Sequence, residues 1–180
     1  VDRRQRQMCI RDRSEVVIED FIRTQYRPLL YYIFFDQGSG EIAPRYRKIT
    51  ADATPSYHYA EFYDYETLPL YYEVLNIYGE RLREHPKATI AITGCNDGTR
   101  ERGITGLSRA RAETVFNYLR DVWGIPPSRM RIEVRDLPAK PSSVSDTDGM
   151  AENRRVEISS PDYEIVEPIF TVDTAHIPKP

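Results

Sequence analysis

Residues 90–119, IAITGCNDGTRERGITGLSRARAETVFNYL, constrain this chain more than any other stretch. Ile90 and Ile92 alternate with Ala91 and Thr93, the period of a strand with one apolar face. Gly94, Gly98, Gly103 and Gly106 then break regularity and permit backbone turns closed to residues with a Cβ. A helix is expected next. Thr105 or Gly106 can cap it, and Leu107, Ala110, Thr114, Val115, Tyr118, Leu119 and Val122 recur at helical spacing. The turn offers one carboxylate, Asp97, and the second turn of the helix offers one guanidinium, Arg111. Strand, loop and helix in this order hold the two charges near one another.

The remaining chain supplies what this unit packs against. Residues 1–13 (VDRRQRQMCIRDR) share no composition with the rest of the chain and read as a non-native leader, vector or adapter read-through. A basic arm for an acidic surface is the less favoured reading. Residues 14–28 form a lead-in segment with strand-like apolar residues, punctuated by Pro28. LLYYIFF at 29–35 is a near-continuous apolar run, expected to be a central strand covered on both faces, and 36–40 is a turn. Residues 45–65 mix polar residues with aromatics and show no period. They read as an excursion with a short helical piece, packed by some of the chain's 13 tyrosines. His58 within it reads as a surface or stacking residue rather than a ligand or base.

Residues 67–85 are expected to form one long helix, capped by Thr67 and admitting Pro69 in its first turn. Tyr71, Val74, Leu75, Tyr78 and Leu82 make its apolar stripe, widened by Leu70 and Ile77. Arg81, Arg83 and His85 suit its C-terminal end electrostatically, and Pro86 stops it. A strand is expected over 87–93, and the second helix ends near Trp123 and Gly124. RMRIEVR at 129–135 alternates strictly, with Met130, Ile132 and Val134 on one face. Residues 137–149 read as a Pro/Ser/Asp loop, 155–159 as the last strand with Val156 and Ile158 facing in, and 161–180 as a linker or the start of a further module. The order β-α-β-α-β-loop-β places the chain in the α/β class, with helices on one side of a mixed sheet.

Composition and motifs exclude several functions. A net charge of −3 gives no basic footprint for nucleic acid. No apolar run approaches the ~20 residues of a membrane-spanning helix. Two cysteines, one of them Cys9 in the leader, build neither a disulfide framework nor a zinc site, and Cys95 is a poor nucleophile candidate. The glycine-rich turn fits neither G-x-G-x-x-G nor G-x-x-x-x-G-K-[ST]. There is no G-x-S-x-G and no H-E-x-x-H. Asp97 and Glu101 form a carboxylate pair, but Glu101 lies in a loop with no evident orienting partner. No catalytic residue, metal site or cofactor is expected.

Three blocks, in order, carry a family resemblance. FFDQGSGEI at 34–42 resembles an opening strand and turn. Gly94, Asp97, Leu107, Ser108, Arg111, Ala112, Val115, Tyr118 and Leu119 spell G-x-x-D, a loop, then L-S-x-x-R-A-x-x-V-x-x-Y-L. AENRRVEI at 151–158 supplies a closing N-R-R-V strand. Over residues 29–160 the chain resembles the OmpA-like peptidoglycan-binding domain. That resemblance implies an OmpA-like β-α-β-α-β(β) two-layer sandwich, helices packed on a mixed sheet. It also implies a non-catalytic anchor in the periplasm, at the outer-membrane side of a bacterial envelope, whose partners are peptidoglycan and other envelope proteins.

The peptide stem of peptidoglycan carries diaminopimelate, whose free end bears an ammonium and a carboxylate on one carbon. By resemblance, Asp97 takes the ammonium, Arg111 meets the carboxylate with its fork, and Leu107, Asn153 and Arg154 line the pocket. The chain departs from the family in Cys95-Asn96, where His-Thr is usual, in Ile104, where Asn is frequent, and in a loop about one residue shorter. Two alternatives stand beside this reading. Asp97 and Arg111 can form an internal salt bridge that merely pins loop to helix. The runner-up is a degenerate OmpA-like fold that serves as a protein–protein or structural module in an outer-membrane or surface assembly.

Overall fold

A four-stranded mixed sheet, in the order β2-β5-β3-β4, carries the organising unit at its centre. The structure, a computed structural model, describes residues 18–62, 67–104 and 106–178. The proposed leader, 1–13, lies outside the described residues. Strand β3 (Ile90–Gly94) runs parallel to β4 (Met130–Val134) and antiparallel to β5 (Arg155–Ser159), which in turn pairs antiparallel with β2 (Tyr32–Phe34). All of β3 is buried, because it has a strand on either side and helix α3 (Leu107–Asp121) above it.

The strand covered on both faces is therefore β3, not the 29–35 run. Only three residues of that run pair with β5, and they sit at the end of the sheet order. Leu29, Ile33 and Phe35 turn into the core while Leu30 and Tyr31 face solvent, the alternation of an edge segment with one apolar face. At the opposite edge Met130 is buried, Ile132 is partly buried, and Val134, at the end of β4, is exposed.

The expected single helix over 67–85 is two helices, α1 (Thr67–Tyr72) and α2 (Val74–Glu84). The break is at Glu73, whose N–H bonds the Leu70 carbonyl three residues back instead of continuing the four-residue ladder. Its buried carboxylate explains the break. It accepts from Arg47 (3.0 Å), Tyr57 (3.2 Å) and Asn76 (3.0 Å). Asn76 in turn accepts from the Tyr118 hydroxyl of α3 at 2.6 Å. A polar network thus joins the 45–62 excursion to both main helices, with every member bonded. The excursion contains two short 3₁₀ turns, Ala51–Ser56 and Tyr59–Phe62, and buries Tyr46 and Tyr57.

The apolar stripe of α2 is as expected: Val74, Leu75, Ile77, Tyr78 and Leu82 join Ile92, Val115, Leu119, Val156 and Ile158 in one core. Arg81 is a different matter. Rather than facing solvent at the helix end, it is buried and donates to the carbonyls of Ile165, Glu167 and Pro168. It thereby ties α5 (Tyr163–Val166) to the domain, and Ile165 and Ile169 complete the core from beyond residue 160. The loop expected over 137–149 gives way at its end to a helix, α4 (Thr147–Asn153), capped by Asp146, which accepts from the Gly149 N–H at 2.7 Å. Strands β1 (Ile18–Arg27) and β6 (Ile169–Pro178) form a separate antiparallel pair, from Ile18 opposite Pro178 to Arg27 opposite Ile169. Among the described residues no helix is long and apolar enough to cross a membrane.

Gly94 shows how tightly β3 and α3 are joined. A Cβ there would overlap the Ser108 carbonyl in the first turn of α3. Gly94→Ala is therefore expected to lower the unfolding free energy by about 3 kcal/mol, since the obstacle is backbone rather than a mobile side chain. Urea denaturation measures it, and an unchanged midpoint would contradict this packing.

Candidate functional site

The turn between β3 and α3 begins with two side chains that fold it. The Asn96 carbonyl oxygen accepts from the Gly98 N–H at 2.7 Å, and its amide reaches Ser108 and Asp136, both at 3.3 Å. Asp97 then closes a turn of its own. One carboxylate oxygen accepts from the backbone N–H groups of Thr99 (2.9 Å) and Glu101 (2.8 Å). The loop ends at Gly106, whose φ of 84° is the left-handed conformation that lets the chain enter α3 directly.

Thr99, Arg100, Arg102, Gly103, Ile104 and Gly106 of this loop are exposed; Glu101 is 1% exposed, driven inward. Its carboxylate meets Arg111 through both oxygens, at 2.6 Å and 2.7 Å, with both side chains inaccessible to solvent. The same carboxylate accepts from the N–H of Gly38 at 2.8 Å and of Asp97 at 3.3 Å. Arg111 spends its other donors on the carbonyls of Ser39 (2.9 Å), Cys95 (2.9 Å) and Asp36 (3.2 Å). Each of the five guanidinium N–H groups therefore has an acceptor supplied by the chain itself. Phe35 lies against the guanidinium, 5.6 Å from its ring centroid.

Asp97 and Arg111 are thus brought into one network without bonding each other. The other Asp97 oxygen takes Arg154 at 3.3 Å, and the Arg154 Nε is buried without a partner among the described residues. Burial alone would raise the Asp97 pKa, but the N–H groups of Glu101 and Thr99 and the Arg154 guanidinium outweigh it and hold the carboxyl below its ordinary range. The contact that pins loop to helix is Glu101 to Arg111. Glu101, which has no evident orienting partner in the sequence, is held on four sides. Asn153 is buried and uses its amide on the backbone of Ser142, accepting at 2.8 Å and donating at 3.0 Å. Leu107 is buried at the start of α3.

Two clefts of about 280 Å³ each flank this network. One opens beside Arg154, lined by Phe34, Phe35, Asp36, Arg45, Ala151 and Glu152. The other lies against Asn96, Ile104, Ser108 and Asp136. Neither is lined by Asp97, Glu101 or Arg111. A larger cleft, about 630 Å³, sits at the other end of β3, against Thr89, Ser128 and Ser159, and carries none of these residues. Cys95 is buried, and burial pushes its thiol up to about 12, which leaves it protonated and inert at neutral pH. His58 bonds Glu80 at 2.8 Å, far along the chain from the network. Among the described residues, no three His, Cys, Asp or Glu side chains are grouped to hold a metal.

Neither a family model nor a curated protein matches the chain. Solved structures do. The peptidoglycan-associated lipoprotein from Burkholderia pseudomallei aligns over 72% of this chain and 89% of its own, with a TM-score of 0.50 and 20% identity. The C-terminal domain of Helicobacter pylori MotB aligns over 79% and 84%, with a TM-score of 0.46 and 17% identity. The cell wall anchor of the T6SS from Pseudomonas aeruginosa aligns over 79% and 85%, with a TM-score of 0.44 and 23% identity. The first of these establishes the fold: the chain has the OmpA-like architecture, a mixed sheet with packed helices.

A carboxyl held below its ordinary value stabilises the fold fully above the unfolded carboxylate range, near about pH 3.9, and loses that contribution as pH falls through the lower folded value. Asp97→Asn keeps the shape and removes the charge. The stability gap between parent and variant is expected to be constant from about pH 5 to pH 7 and to narrow below about pH 4. Thermal melts across that range measure it, and a gap independent of pH would show that the charge of Asp97 is not what the loop relies on.

Proposed function

We propose that this chain is a non-catalytic, periplasmic module that ties a larger envelope protein to peptidoglycan by holding the zwitterionic end of diaminopimelate. One observation carries the reading. The turn and α3 present a buried guanidinium whose fork grips a carboxylate and, in the same network, a buried carboxylate that grips a cation. The two internal occupants, a carboxylate from Glu101 and a guanidinium from Arg154, are the charges that an amino-acid terminus would bring. A site that fits them has the donors and acceptors to fit that terminus. The three sequence blocks and the shared fold with a protein named as peptidoglycan-associated agree with this role.

A second reading has an observation of its own. Every donor of Arg111 is satisfied internally and neither flanking cleft is lined by it, which is what a degenerate member of the fold would show if it had kept the architecture and become a protein–protein or structural module.

Sedimentation with purified sacculi separates the two. The anchoring reading expects the chain to pellet with sacculi and to be released by a soluble diaminopimelate-containing muropeptide. Arg111→Lys, which keeps the charge but loses the fork, is expected to weaken retention about tenfold or more while leaving a folded domain. A chain that stays in the supernatant and purifies with a stable protein partner would replace anchoring by the second reading.

A further inference from the structure

The acid on Arg111 comes from the chain itself, through a loop whose other described residues from Thr99 to Gly106 face water. We infer that Glu101 is a built-in competitor for the guest's carboxylate, so that the site is closed until a ligand displaces it; this rests on the wall-anchoring reading above.

The geometry is that of a surrogate, not of a simple strut. A strut at the surface needs one anchoring bond. Glu101 instead engages Arg111 with both oxygens in the fork arrangement that a free carboxylate adopts, and takes two backbone N–H groups besides, from Gly38 and Asp97. Those four donors are a complete carboxylate receptor assembled from three chain segments. The tether that delivers the competitor is suited to withdraw. Glu101 is flanked by Arg100, Arg102 and Gly103, all exposed, and the loop is bounded by Gly98 and Gly106, at φ 69° and 84°. Once out, the Glu101 carboxylate reaches water, and an entering carboxylate inherits the same four donors.

The second half of the lock is weaker and marks the entry side. Arg154 holds Asp97 by one bond at 3.3 Å, is itself 12% exposed, and lines the cleft of about 280 Å³ between Phe35, Arg45 and Glu152. An ammonium arriving along that cleft meets the looser contact first. Its hydrogen bonds to Asp97 replace those of Arg154, and the carboxylate on the same carbon is then carried toward the Arg111 fork. A ligand with a carboxylate alone gains nothing at Asp97 and has to dislodge Glu101 unaided. Glu101 is in this sense a specificity residue: it sets a threshold that a zwitterion passes and a simple acid does not.

Titration with a soluble diaminopimelate-containing muropeptide tests this with parent and Glu101→Gln. Removing the competing charge raises the fraction of protein in the open form. Because apparent affinity scales with that fraction, the variant is expected to bind about tenfold more tightly, or better. A residue that only stabilised the site would give weaker binding. If the parent binds and a folded Glu101→Gln binds equally or less well, the competitor role is overturned and wall anchoring stands. If neither binds muropeptide or sacculi, both fall. A measurement on the parent alone covers a variant that fails to fold. The N–H of Glu101, which donates to Asp97 at 2.8 Å while the loop is closed, is expected to lose hydrogen-exchange protection on saturation with muropeptide, and unchanged protection at saturation overturns the inference.

Discussion

The pairing of Arg111 with Glu101 is the constraint around which the loop end of this domain is arranged. Two opposite charges with no solvent access are expensive to bury, and their attraction offsets that expense only with good geometry and with every remaining hydrogen-bonding group occupied. Both conditions are met. The guanidinium reaches carbonyls from the turn after β2 and from the end of β3, while the carboxylate collects N–H groups from Gly38 and Asp97. One ion pair thus fixes the relative placement of three segments that are distant in sequence. Removing either partner would strand the other charge, at a cost of about 3–5 kcal/mol, so the pair is costly to break from one side only. An exchange that supplies a replacement carboxylate escapes most of that penalty.

The architecture that presents this pair is fixed on both sides of α3. Gly94 lets α3 approach β3 at backbone contact, which sets the start of the helix and with it the position of Arg111. On the far side of α3, Tyr118 joins a polar network through Asn76 and Glu73 that locks α2 to α3. That network explains a helix break that apolar periodicity could not foretell. The stripe of Tyr71, Val74, Leu75, Tyr78 and Leu82 runs through residue 73 without interruption; what interrupts the helix is the demand of a buried carboxylate for three donors, two of them from residues far from it in the chain.

The same distinction runs through what was legible in the sequence. β3, the glycine turn, α3 and β5 arise from local rules, since their apolar spacing and glycines are written within a few residues of each other. Asp97 and Arg111 were visible for that reason. Glu101 stands there only as a carboxylate with no orienting partner, because its meaning depends on Gly38, in the turn after β2, donating to it across the fold, a contact with no trace in local spacing. The 29–35 run misled for a related reason: an apolar run is the same string whether it lies centrally or at an edge with aromatic side chains turned outward. α4 was hidden by its Pro- and Ser-rich approach, although Asp146 with Gly149 three residues on is a capping signal. Arg81 reads as a helix-end cation until the chain from Ile165 to Pro168 folds back over it.

A tethered carboxylate also changes what kind of ligand such a site can select. A group held on a short loop competes as though present at about millimolar concentration or above, so a free guest whose only asset is its own carboxylate is at a standing disadvantage. Two features shift the balance. A zwitterion exchanges two contacts, the first of them at the looser Arg154–Asp97 pair, and the ordering of its two charges on a single carbon removes one entropic penalty from the exchange. A polymer that presents many such termini adds repeated encounters that a soluble amino acid lacks. A self-occupied cradle would therefore ignore scattered small acids and respond to a wall. On the proposed reading, the bidentate bond at 2.6 Å and 2.7 Å and the single bond at 3.3 Å would be the two unequal halves of that discrimination.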